Sequence, residues 1–132
     1  MEIVVDTSVI VAIMLDEPIK HALVTTADGA TLFAPLSLHW EIGNALASGM
    51  KRRRLAYEDV LKALAAYDEI PIQFIDVPLD ESLALASTQQ IYAYDAYFVV
   101  CAQTLSAPLL TVDQQLARVA RSIGVDIVEI QP

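Results

Sequence analysis

Continuous apolar runs alternate along this chain with stretches whose apolar positions recur every three or four residues. Residues 3–5, in a strand expected at 2–5, form one such run, β-branched and uninterrupted, and 109–112 form another. Strands with no polar alternate are buried on both faces, the habit of parallel sheets. Further strands are expected at 31–34, ended by Pro35, at 72–77 and at 126–130. Helical spacing is expected over 8–15, 18–27, 37–50, 57–70, 80–90, 95–105 and 114–123. Pro18 suits the first turn of the second helix, and Pro71 closes the fourth. Leu61, Leu64 and Ala65 fall at i, i+3 and i+4 on the fourth; Leu83, Ala84 and Ala86 are expected inward on the fifth. The stretch 95–105 is so apolar that its helix is expected at the centre. Alternating strands and helices imply right-handed crossovers and a parallel sheet covered on both faces, an α/β domain expected to span 1–132.

Composition adds three constraints. With 55% hydrophobic residues and a mean hydropathy of +0.48, the chain carries enough apolar surface to suggest burial against a partner. No apolar stretch approaches the ~18 residues of a membrane span, and Met1-Glu2-Ile3 lacks the basic start of a signal peptide. The lone Cys101, inside an apolar run, offers no internal disulfide and reads as a small core residue, so a cytoplasmic location is expected. The net charge of −9 argues against a simple electrostatic nucleic-acid binder. The basic residues are nonetheless clustered: Lys51, Arg52, Arg53 and Arg54 are consecutive, and Arg118 and Arg121 lie one turn apart. The run 51–54 is a candidate ridge for a phosphate backbone, and equally a solvated helix end whose cations suit the helix dipole.

Four acids stand where an α/β chain does not need them. Asp6 and Asp113 follow apolar strands, Asp95 opens the most apolar helix, and Glu41 lies inside a helix beside Leu38, Ile42 and Ala45. The three aspartates can each be explained as helix N-caps. Asp6 and Asp113, however, also mark the C-terminal strand ends where open α/β sheets place their sites. Glu41 is too deep in its helix to cap it, and no lysine or arginine lies within four residues to pair with it. If these segments share one sheet, the carboxylates converge, and an oxygen-only ligand set points to Mg²⁺ or Mn²⁺. Ser8, Asn44 and Thr111 can orient those carboxylates or make routine local hydrogen bonds. His21 and His39 have no zinc-ligand spacing. There is no glycine-rich phosphate loop and no serine-nucleophile motif. The chemistry left is metal-dependent hydrolysis of phosphodiesters, with a carboxylate-held cation neutralising developing charge and a second carboxylate, Glu41 or Asp113, orienting the water.

The same residues resemble a known family. Asp6-Thr7-Ser8-Val9-Ile10 is similar to the opening motif of PIN-domain ribonucleases. Trp40-Glu41-Ile42-Gly43-Asn44-Ala45-Leu46 is similar to the second, Tyr94-Asp95-Ala96-Tyr97 to the third, and Thr111-Val112-Asp113-Gln114-Gln115-Leu116 to the fourth. The four motifs occur in order over nearly the whole chain, at the size of VapC-type toxins. The resemblance implies a three-layer α/β/α sandwich with a five-stranded parallel sheet and Mg²⁺- or Mn²⁺-dependent endonucleolytic cleavage of RNA. It also implies a homodimer and a VapB-type antitoxin whose tail covers the acidic site. By position, Asp6, Glu41, Asp95 and Asp113 become the acidic cluster, with Asp6 and Asp95 as direct metal ligands. Some members carry a further acid after the fourth aspartate; here Gln114, Gln115, Leu116 and Ala117 follow, leaving open whether one metal or two are bound. A phosphate-accepting receiver domain would need an acidic pair after the first strand and a late lysine. A haloacid-dehalogenase-type phosphatase would need an aspartate where Ser8 stands. The remaining alternative is a catalytically silent PIN-like scaffold that binds RNA or protein. For self-association the candidates are the early helix with Val9, Ile10, Ile13 and Met14, or the one with Leu61 and Leu64.

Overall fold

The computed structural model describes residues 1–132. Four strands, β1 (Glu2–Val5), β2 (Thr31–Pro35), β3 (Ile72–Ile75) and β4 (Leu109–Leu110), form one sheet in the order β3-β2-β1-β4. Every pairing is parallel: Val4 of β1 stands opposite Phe33 on one side and Leu109 on the other. Ile3, Val4 and Val5 are all buried. Successive strand residues face opposite ways, so this run requires cover on both faces of β1.

Seven helices supply that cover: α1 (Thr7–Met14), α2 (Lys20–Ala27), α3 (Ser37–Lys51), α4 (Tyr57–Asp68), α5 (Leu79–Gln89), α6 (Ala93–Leu105) and α7 (Gln114–Ser122). α6 lies against β1, β2 and β4, with α5 packed on it, while α1 packs with α2, α3 and α4. The expectation that α6 is central holds, since Ala96 and Phe98 through Ala102 are buried. Cys101 sits in this core, and burial pushes its thiol up to about 12, so it is inert at neutral pH.

The structure corrects three expectations and leaves Leu61 and Leu64 available for self-association. The strand expected at 126–130 is a single bridge between Ile127 and Leu109, so the sheet has four strands and not five. Leu109 spends its N–H on Asp126 and its carbonyl on Val128, but β4 stops at Leu110 and offers no next rung. On α5 the inward residue is Ser82, which bonds the Pro78 carbonyl at 2.8 Å, while Leu83 is 49% exposed. On α4 Val60, Ala63 and Tyr67 face the core and Leu61 and Leu64 face outward. Val9, Ile10 and Met14 are buried within the chain, which removes them as a self-association surface.

This topology fixes where chemistry can gather. The chain leaves β1 for β2 on one side, and β4 joins on the other, so the switch point lies between β1 and β4. In open parallel sheets the crevice for ligands opens there, beyond the C-terminal strand ends.

Candidate active site

Asp6 follows β1 and caps α1, its Oδ1 accepting from the Val9 amide at 3.2 Å. The Ser8 hydroxyl donates to the same oxygen at 2.6 Å, and the Thr111 hydroxyl donates to Oδ2 at 2.6 Å. Thr111 lies just past β4, and the Asp6 amide donates to the Leu110 carbonyl at 3.3 Å, so the switch point itself brings the two together. Ser8 Oγ also accepts from the Val112 amide, and Thr111 Oγ1 from the Asp113 amide. The hydroxyls of Ser8 and Thr111 are therefore locked, and they lock Asp6 in turn.

Asp113 caps α7, with Oδ1 accepting from the amides of Gln115 at 3.0 Å and Leu116 at 3.1 Å. Asp95 is not a cap, which removes the structural alternative weighed for it in the sequence. Helix α6 begins at Ala93 with Tyr92 before it, so Asp95 stands in the first turn and its carboxylate makes no capping bond. Glu41 sits one turn into α3, where Thr7 donates a 2.9 Å hydrogen bond to its Oε2. Thr7 was missed in the sequence; its only signal was adjacency to Asp6 in the first motif. Asn44, one turn further on, is exposed and lines the same hollow as Glu41.

Asp6, Glu41 and Asp95 each feel a neighbouring carboxylate. Burial lifts Asp6 above the ordinary aspartate range; the bonds from Ser8, Thr111 and Val9 pull it back in part, and the charge of Asp113 adds to the rise. Burial raises Glu41, opposed by Thr7 and reinforced by Asp95 and Asp6. Burial also raises Asp95, with Asp113 adding to it. No base answers this charge: the chain's one ion pair joins Lys20 to Asp16 at 3.4 Å. A buried carboxylate without a cation is costly.

No three acidic, histidine or cysteine side chains are yet drawn tightly enough to close around an ion. The donor set nonetheless suits a hard divalent cation: all oxygen, several negative charges and no competing ammonium or guanidinium group. Two hollows flank the acids. One of about 260 Å³ is lined by Thr7, Trp40, Glu41, Asn44, Ala45 and Tyr94. The other, about 160 Å³, includes Gln90, Tyr92, Asp95, Asp113 and Gln115.

The basic residues lie elsewhere. Lys51 to Arg54 are exposed at the far end of α3, about 15 Å from Glu41 at the helical rise of ~1.5 Å per residue. Neither Arg118 nor Arg121 lines a hollow.

The family model described as the PIN domain matches residues 3–122. The chain belongs to the PIN domain family. All four carboxylates of the cluster fall inside the matched range. The PIN fold is shared with solved structures of low sequence identity. PAE2754 from Pyrobaculum aerophilum is 22% identical with a TM-score of 0.73, covering 97% of this chain and 84% of that one. VapBC2 from Rickettsia felis, solved bound to a DNA fragment from their promoter, is 16% identical with a TM-score of 0.68 and full coverage of both chains. A domain of a functionally unknown protein from Methanocaldococcus jannaschii is 21% identical with a TM-score of 0.60, covering 99% and 91%. No curated protein matches the chain. No helix of this PIN domain is long and apolar enough to cross a membrane.

Proposed function

We propose that this PIN domain is a Mg²⁺- or Mn²⁺-dependent endoribonuclease, the toxin of a type II toxin–antitoxin pair. The observation that carries the proposal is the gathering of Asp6, Glu41, Asp95 and Asp113 at the switch point with no cationic partner. Asp6 and Asp95 would hold the cation, with Glu41 and Asp113 adding negative charge beside it. Bound there, a divalent ion supplies charge neutralisation at the scissile phosphate and lowers the pKa of the attacking water. The chain's own residues do the rest. Ser8 and Thr111 hold Asp6 in one rotamer, so it presents a fixed oxygen. Thr7 steadies Glu41 through Oε2 and leaves Oε1 without a partner. With Oε1 free, Glu41 is the carboxylate fitted to accept the proton from water. Asp113 has committed Oδ1 to its helix cap, which makes it the weaker candidate for that role.

The PIN membership and the shared fold with a VapC-containing complex support a VapB-type antitoxin as partner. The exposed Leu61 and Leu64 on α4 support a homodimer through that helix. The proposal is tested by incubating purified protein with labelled RNA in Mg²⁺, Mn²⁺ or chelator. Internal cleavage should require the metal and disappear in Glu41→Gln. A folded wild type that binds RNA and cleaves none of it in either metal would favour the silent scaffold instead.

A further inference from the structure

Trp40, Tyr92 and Tyr94 are 69%, 83% and 56% exposed, although aromatic residues make up only 7% of the chain. All three lie within three positions of Glu41 or Asp95 and on the walls of the two hollows. Leaving such rings in water forgoes burial that would stabilise the fold. Two of them are also braced. The His39 ring meets Trp40 edge to face at 4.9 Å, and His39 Nδ1 is 3.0 Å from the Tyr67 hydroxyl. Tyr94 meets Tyr97 edge to face at 5.9 Å. Trp40 and Tyr94 thus each touch one aromatic neighbour while keeping more than half of their surface in water.

Each hollow repeats one composition: a carboxylate of the cluster, an exposed aromatic and a carboxamide. Glu41 goes with Trp40, Tyr94 and Asn44; Asp95 and Asp113 go with Tyr92, Gln90 and Gln115. No lysine or arginine lines either one, so neither attracts a phosphate backbone by charge. Stacking on an aromatic face needs no charge, and a carboxamide offers a donor and an acceptor to a base edge. The volumes, about 260 and 160 Å³, fall below the ~300–1,000 Å³ of pockets for drug-sized ligands. They suit a single planar base better than a helical peptide.

We infer that Trp40 with Tyr94 in one hollow, and Tyr92 in the other, are nucleobase-stacking positions that hold the nucleotides on either side of the scissile phosphate, with Asn44 and Gln115 contacting base edges. This rests on the ribonuclease reading above. The three rings are positioning residues, and they restrict the substrate to RNA whose bases are free to leave a duplex.

Trp40 is the only tryptophan, so its emission reports stacking directly. The probe is a short random-sequence oligoribonucleotide, titrated in Ca²⁺, with an abasic oligomer of the same length as control. The base-bearing RNA should quench Trp40 and the abasic oligomer should not. In Mn²⁺, Trp40→Ala should lower kcat/KM for RNA cleavage at least about fivefold, mainly through KM, and Trp40→Phe should restore most of the loss. Equal quenching by the abasic oligomer overturns the inference. So does a wild type that cleaves RNA while its emission is unchanged and Trp40→Ala matches it; the aromatic rim then serves a protein partner and the ribonuclease reading stands. Base-dependent quenching without cleavage keeps the stacking assignment and removes the ribonuclease reading alone.

Discussion

Asp6 carries two roles that a pair of substitutions separates. As a cap and hydrogen-bond hub it accepts from Ser8 at 2.6 Å, Thr111 at 2.6 Å and Val9 at 3.2 Å. As a buried carboxylate with no cation beside it, it carries a charge that opposes folding. Asp6→Asn removes the charge and keeps the hub, because Asn caps a helix about as well as Asp. Its Oδ1 still accepts from Ser8 and Val9, and its Nδ2 can donate to the Thr111 hydroxyl, which then turns toward Ser8, 3.4 Å away. Asp6→Ala removes both roles. The charge effect cancels between the two variants, so their difference measures the hub: three bonds at ~1 kcal/mol each, or about 2–3 kcal/mol. At ~3–5 °C per kcal/mol for a domain of this length, the alanine variant should melt roughly 10 °C below the asparagine variant. In chelator, Asp6→Asn should lie within about 1 kcal/mol of wild type or above it, since relief of the buried charge offsets weaker neutral bonds. Urea unfolding in chelator, followed by circular dichroism, reads both gaps. An asparagine variant as unstable as the alanine one would show instead that the carboxylate is present for the fold.

Asp6, Glu41 and Asp95 all hold protons more tightly folded than the ordinary aspartate (3.8) or glutamate (4.5). A raised folded pKa contributes stability that is full below the ordinary value and lost as pH rises through the folded one, so from these three groups the chelated protein should lose stability as pH rises from about 4 to about 7; a gain over that range would count against the strained cluster. Replacing Lys51, Arg52, Arg53 and Arg54 with glutamine should flatten the salt dependence of RNA binding by up to ~0.7 log units per lost phosphate contact. An unchanged slope would leave the run as a solvated helix end. Wild-type protein should sediment at twice the 14.4 kDa chain mass, and Leu61→Lys with Leu64→Lys should bring it to the monomer. A wild type already monomeric would mean that the α4 face awaits another protein.

The sheet and the order of elements were legible because buried parallel strands announce themselves as unbroken apolar runs and α6 is apolar all round. The acids were legible at β1 and β4, where a polar residue ends such a run. The last strand was misread because Asp126 to Ile130 has strand composition, whereas pairing depends on how long β4 runs beside it. The start of α6 was expected at Asp95 and lies at Ala93, because helix starts are uncertain by a residue or two in sequence. The inward turn of Ser82 and the outward turn of Leu83 are set by how α5 lies on α6, which periodicity alone does not fix. The Thr7–Glu41 bond and the exposed rings of Trp40, Tyr92 and Tyr94 come from tertiary placement, and no local pattern marks them.

The central claim is that four acids from distant segments make one cation site. Titration calorimetry of Mn²⁺ into wild type, Asp95→Asn and Glu41→Gln tests it without any substrate, with melting curves recorded across the same metal concentrations. Wild type should bind saturably and melt higher by an amount growing as RT ln(1 + [metal]/Kd), about 2.7 kcal/mol at a hundredfold excess over Kd. Asp95→Asn, relieved of one repulsive charge, should melt higher than wild type in chelator yet bind Mn²⁺ more weakly and gain less from it. A wild type with no saturable Mn²⁺ binding and no metal-dependent rise in melting temperature, beside an Asp95→Asn protein less stable in every buffer, would contradict the account.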